Sequence, residues 1–202
     1  SDGTKFGKSA EGAVWLDSAK TSPYKFYQFW INCADEDVLR FLKIFTFLST
    51  ADIAELADAQ QSQPGARLAH RRLAQEVTTL VHGESAVAAV ERITAAIFSN
   101  RIDALTEQDF AQLAQDGLPS THFDLSEVGL LALLFESGLA TTPKGEVTLG
   151  QAKKLILGNS VAVNGVKQID PEFKLQASAA RYGRYHLIQK GKKQHHLVVL
   201  NG

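Results

Sequence analysis

The sequence predicts a mainly α-helical chain that ends in a small α+β module. Three observations carry this. Between Tyr24 and Ala114 apolar residues recur at helical spacing. From Val161 onward the pattern changes to short β-rich runs separated by Asn-Gly and Lys-Gly-Lys-Lys turns. Charge is also segregated. Residues 144–202 hold ten Lys or Arg against three Asp or Glu, a net +7, whereas residues 1–143 hold 11 against 19, a net −8. The formal total of −1 over 202 residues hides a division into modules, one of them suited to a polyanion.

Taken in order, residues 1–12 are small and polar and read as a loop. Ser22-Pro23 is a helix start, a Ser N-cap with Pro at the first helical position. Tyr24 to Trp30 then holds five aromatics, so that helix must be apolar around most of its circumference and serves packing. Asp35 is placed to cap a second helix bearing Val38, Leu39, Leu42 and Phe45, and Ser49 with Asp52 forms a capping box. Amphipathic helices follow at about 67–82 and 85–98, with Gly83 as the C-cap between them. A shorter one runs from Thr106 to Ala114. Gln115 to Phe123, with Gly117 and Pro119, is the expected linker.

Beyond it, Ser126 to Ser137 reads as a helix closed by Gly138, and Pro143-Lys144-Gly145 as a turn. A helix from Leu149 to Leu157 puts Leu149, Ala152, Leu155 and Ile156 on one face, Lys154 opposite and Lys153 on the flank. Val161–Lys167 around Asn164-Gly165 is a hairpin of type I′ character. Tyr185 to Gln189 and His195 to Leu200 bracket a second hairpin with a cationic tip.

Composition sets bounds on function. With 45% hydrophobic residues the chain can build real cores. Its longest apolar run, Val128 to Phe135, is far short of a membrane span, and no secretory leader is expected. A single cysteine, Cys33, rules out an internal disulfide framework and a four-Cys zinc site, which suits a reducing, cytoplasmic setting. His195 and His196 are neighbours on a strand and point to opposite faces, so no metal site is expected there. The absence of methionine fits a removed initiator or the tail of a longer chain.

Two features carry chemistry. In Lys5-Phe6-Gly7-Lys8-Ser9, two lysines three apart in a Gly-containing loop can reach one phosphate chain. A Walker A loop is one residue short, because Asp2 stands where the pattern needs Gly. In the +7 module, Lys153, Lys154, Arg181, Arg184, Lys190, Lys192 and Lys193 can form a phosphate-tracking surface. The run Arg181-Tyr182-Gly183-Arg184-Tyr185-His186 interleaves cations with rings able to stack on unpaired bases.

Lys5–Ser9, Ala13–Asp17 and Lys20–Asn32, continued by Phe45–Leu48, Leu80–Gly83, Val161–Gly165 and Gly191–Lys193, closely resemble the bacterial tyrosyl-tRNA synthetases. Lys5–Ser9 matches the mobile Lys-Met-Ser-Lys-Ser loop of class I synthetases, in the Phe-Gly variant common among the tyrosine enzymes. No His-x-Gly-His motif or β-α-β pattern precedes it, so the resemblance is to the C-terminal portion without the Rossmann-like core. It implies a signature-loop remnant at 1–20, a helical anticodon-binding domain at 21–114, a linker at 115–124 and an α-L RNA-binding domain at 125–202.

The resemblance also implies a function. The full-length enzyme activates tyrosine with ATP to tyrosyl-adenylate, then transfers it to the 3′ end of tRNA(Tyr). Lys5 and Lys8 would be catalytic there, with Gly7, Lys8 and Ser9 at the ATP. Mg²⁺ would accompany the ATP, and neither would be bound by this chain alone. The implied partners are tRNA(Tyr) and a second copy joined through the catalytic domain, with no DNA and no membrane. Arg67, Arg71 and Arg72 are the candidates for local tRNA contact in the acidic half, against the alternative that they pair with nearby acids. The rival expectation is a free-standing RNA-binding protein with no catalytic role.

Overall fold

The computed structural model describes residues 8–9, 12–99 and 101–202, with side chains from Ala13 onward. The chain is mainly α, with a small α+β C-terminal part. Its contacts gather into two compact units, Ser1–Arg92 and Ile93–Gly202.

In the first unit, β1 (Lys8–Ser9) and β2 (Gly12–Ala13) form a short antiparallel hairpin in the region expected as loop. Four helices follow: α1 (Pro23–Ile31), α2 (Val38–Phe45), α3 (Thr50–Ser62) and α4 (Leu68–His82). The local signals act as expected at α1, where Ser22 Oγ accepts the Lys25 N–H at 3.1 Å. They also hold at α3, where Ser49 and Asp52 close the capping box in both directions. Asp35 does not cap α2. That helix starts after Asp37, and Asp35 instead faces α4, with its Oδ1 3.0 Å from His70 Nε2. The aromatics of α1 are core, as expected. Trp30 meets Phe26, Phe29, Phe41 and Phe45 edge-on, at centroid distances of 5.0 to 6.2 Å.

Helix α5 (Glu84–Ser99) follows Gly83, whose φ of +84° ends α4, and it carries the chain into the second unit. There α6 (Glu107–Gln112) runs into a π-turn at Leu113–Gly117, and β3 (Ser120–Phe123) follows. The segment expected as a linker is therefore built into the second unit. Gly117 and Pro119 mark a bend, and the backbone of Ser120–Phe123 after it pairs with a strand far along the chain.

The region read as one helix also divides. β4 (Glu127–Gly129) pairs antiparallel with β7 (Lys174–Gln176), and only α7 (Leu130–Glu136) is helical. After α8 (Leu149–Leu157) come β5 (Val161–Val163), β6 (Val166–Gln168), β8 (Tyr185–Lys190) and β9 (Gln194–Leu200). The main sheet has the order β3-β9-β8-β5-β6, antiparallel except for the parallel pair β3/β9. Asn164 and Gly165 both take positive φ, +49° and +85°, as a type I′ turn needs.

One face of this sheet, with Val161, Val163, Ile188, Val198 and Leu200, packs on Leu130, Leu133 and Leu134 of α7 and on Ala152 and Ile156 of α8. Alternation sends Tyr185 to the other face, where it stacks on Phe110 of α6 at 5.1 Å and 9°. The sheet is thus covered on both sides, and what remains for a partner lies at its ends and turns.

Candidate nucleic-acid interface

Of the phosphate-loop residues, Lys5 and Gly7 lie outside the described residues. Lys8 and Ser9 are described as backbone of β1, paired with Ala13 and Gly12, and their side chains lie outside the described part as well.

In the helical unit the three arginines have separate fates. Arg67, at a left-handed φ of +49°, ties α1 to α4: its Nη2 donates to Ile31 O at 2.9 Å, and its Nη1 stands 3.5 Å from Asp35 Oδ1. Arg72 pairs with Glu76 one turn on, at 2.8 Å. Arg71 is exposed. Beside this cluster, His70 is held below its ordinary value by burial and by the Arg67 charge, with Asp35 acting in the opposite sense. Burial pushes the Cys33 thiol up to about 11, so it stays protonated and inert at neutral pH.

The seven cations of the C-terminal module sort by position along β8. At one end, the β8–β9 turn lies against the α8–β5 loop, because Gly191 N donates to Ser160 O at 2.8 Å. That contact brings Lys192 and Lys193 toward the C-terminal end of α8, which carries Lys153 and Lys154. All four are exposed. Helix α8 stops at Gly158, where a Cβ would stand 2.9 Å from Lys154 O. Lys190 belongs to this end too, but its Nζ donates to Leu139 O at 2.7 Å and holds the loop after α7.

At the other end of β8 stand Arg181 and Arg184, both exposed. Six residues of strand separate the groups by roughly 17–20 Å. The length of β8 therefore sets the two arginines apart from Lys190 and the β8–β9 turn.

The aromatic run at that second end is only partly available. Tyr185 is 4% exposed and His186 2%. His186 sits in a buried network: Asn164 Nδ2 donates to its Nδ1 at 3.0 Å, and its Nε2 donates to Gln176 O at 3.0 Å. Neither ring can meet a base from solvent. Of the rings able by sequence to stack on bases, Tyr185 is core instead, because Phe110, distant in sequence, claims it. Asn164 and Gln176 escaped sequence reading as partners for His186, since nothing local links positions 164, 176 and 186. His196 is likewise buried, its Nε2 2.8 Å from Thr121 Oγ1. Among the described residues no three or more His, Cys, Asp or Glu side chains form a group able to hold a metal, and no helix is long and apolar enough to cross a membrane.

Comparison with known proteins gives the site a context. The family model described as tRNA synthetases class I (W and Y) matches residues 1–99. The one described as Tyrosine--tRNA ligase SYY-like C-terminal domain matches residues 109–198. The tyrosine--tRNA ligases of Cronobacter sakazakii and Pectobacterium carotovorum are each 48% identical over 198 residues, 98% of this chain and 45% of theirs. The chain thus spans somewhat under half the length of these relatives. Among solved structures, a C-terminally truncated Aspergillus nidulans mitochondrial tyrosyl-tRNA synthetase aligns at 36% identity and a TM-score of 0.42, over 45% of this chain and 25% of that one.

Proposed function

The chain belongs to the tyrosine–tRNA ligase family, matching its C-terminal portion, and from that premise we propose that it is the part of such an enzyme that grips tRNA(Tyr). The observation that carries this reading is that the β8–β9 turn, with exposed Lys192 and Lys193, is hydrogen-bonded to the loop that follows α8, the helix bearing exposed Lys153 and Lys154. Four exposed ammonium groups there can track a phosphate backbone, which supplies affinity without reading sequence. Lys190 contributes charge from a position fixed by its own backbone bond.

In the full-length enzyme, tyrosine is activated by ATP to tyrosyl-adenylate and passed to the 3′ end of the tRNA. Lys8 meets the ATP phosphates, with Lys5, Gly7 and Ser9 beside it. The lysines stabilise charge that builds on the leaving pyrophosphate, so they act on rate more than on ground-state ATP affinity. Adenylate formation belongs to the complete enzyme, and tRNA binding is the share of these 202 residues.

The test is binding of tRNA(Tyr) and a non-cognate tRNA by this chain at 50 and 200 mM salt, with tyrosine-dependent ATP–pyrophosphate exchange measured in parallel. Four phosphate contacts predict a loss of about a hundredfold in affinity between the two salts, and the chain alone gives no exchange. Salt-independent binding, or none, overturns the tRNA reading. Exchange above background overturns the division of labour.

A further inference from the structure

One ring of the Arg181–His186 run remains open to solvent. Tyr182 is 49% exposed. Its hydroxyl donates to Leu105 O at 2.8 Å, and its edge meets Phe110 at a centroid distance of 6.1 Å and 62°. The backbone beneath it is equally fixed. Arg181 N donates to Tyr185 O and Tyr185 N to Arg181 O, both at 2.9 Å, closing a turn in which Tyr182 and Gly183 have φ of +53° and +69°.

A bulky residue is strained at positive φ, where Gly or Asn is at ease. Such strain persists where the side chain has a use and the surroundings impose it. Phe110 is fully buried, with Tyr185 stacked on it and Tyr182 meeting it at 62°, yet half of the Tyr182 surface still faces outward, more ring than that contact uses. On either side in sequence stand the exposed guanidinium groups of Arg181 and Arg184. Arg184 lies 5.5 Å above the Tyr185 ring, and its Nη2 donates to Asn201 Oδ1 at 3.1 Å.

We propose that Tyr182 is a stacking platform for one unpaired base of a bound RNA, with Arg181 and Arg184 meeting the phosphates beside that base. The proposal rests on the RNA-gripping reading above and adds a second point of contact, at the opposite end of β8 from the lysines. A ring already held by its hydroxyl and its edge gives up little freedom when a base stacks on it. Stacking accepts any base, so the site recognises unpairedness rather than sequence.

The experiment uses this chain and two fluorescein-labelled RNAs, a stem with a single-stranded 3′ tail and the same stem blunt-ended. Tyr182→Leu should weaken binding of the tailed RNA by about 5- to 150-fold, the range for one lost stacked base, and leave the blunt stem within about twofold. Tyr182→Phe should keep most of the affinity. Equal loss on both RNAs, or no loss, overturns the platform while leaving the lysine grip standing. Failure of the unaltered chain to bind either RNA overturns the gripping reading and the platform with it. A second measurement needs no variant: a tail carrying 4-thiouridine, cross-linked to the unaltered chain, should mark Tyr182. Adducts confined to the 190–193 turn overturn the platform even if Tyr182→Leu fails to fold.

Discussion

Asn164 lengthens the β5–β8 ladder past the last residue of β5. Its backbone N–H donates to Leu187 O at 2.8 Å, and its side-chain Oδ1 accepts the Leu187 N–H at 2.9 Å, in the place of a backbone carbonyl. Its Nδ2 then fixes His186 in the tautomer that donates through Nε2 to Gln176 O. Asn164→Ala removes both side-chain bonds and puts a less tolerant residue at φ +49°. It should destabilise the protein by about 2 kcal/mol, the scale of a buried N–H left unpaired, as measured by urea unfolding. His186 also makes stability depend on pH. Burial lowers its pKa below the ordinary 6.5, so the folded state binds this proton more weakly than the unfolded chain does. The stability it helps maintain is complete above about pH 6.5 and is lost as pH falls toward the depressed folded value. Unfolding midpoints should drop between pH 7 and 5, and His186→Gln should flatten part of that drop. An unchanged slope in the variant would assign the acid sensitivity to His70, His82, His195 and His196, which burial also lowers.

Among the elements, those with a local signal were legible. Ser22-Pro23, the Ser49/Asp52 box, Gly83 and Asn164-Gly165 each act within a few residues of chain, and each does in space what its chemistry demands. Ser22→Ala deletes the cap of α1 and should cost about 1 kcal/mol, read as a lowered denaturant midpoint with m unchanged. Strands β3 and β4 were not legible, because their partners β9 and β7 lie far along the chain. Glu127-Val128-Gly129 continues the apolar period of α7 well enough to pass for helix, and only the ladder to Lys174–Gln176 overrides it. The same limit applied to the site. Charge placed the seven cations on one module, but their division into a lysine end and an arginine end follows from β8, and the burial of Tyr185 from Phe110.

At the scale of the molecule, the +7 excess is a local property. Counted whole, Ile93–Gly202 carries 11 basic and ten acidic residues. A unit that is nearly neutral overall attracts a polyanion by segregating its charges, with a field that fades within about a Debye length of 8–10 Å at ordinary salt. Lys192→Glu with Lys193→Glu should therefore weaken RNA binding and lower the slope of log affinity against log salt by about 2. Thermal stability should stay within experimental scatter, since both side chains are exposed. A slope that does not move would place the phosphate contacts elsewhere.

The parallel pairing of β3 with β9 also bears on how the protein is made. Ser120 pairs with Leu197, roughly 75 residues later in the chain. At typical synthesis rates of 5–20 residues per second, β3 is translated roughly 4 to 15 s before its partner exists. During that interval its N–H and C=O groups are an open edge, able to recruit a strand from another nascent chain. Its sequence, Ser-Thr-His-Phe between Pro119 and Asp124, suits such a wait: it is short, polar for three of its four residues and flanked by a proline and a charge, the features that keep an unpaired edge from aggregating.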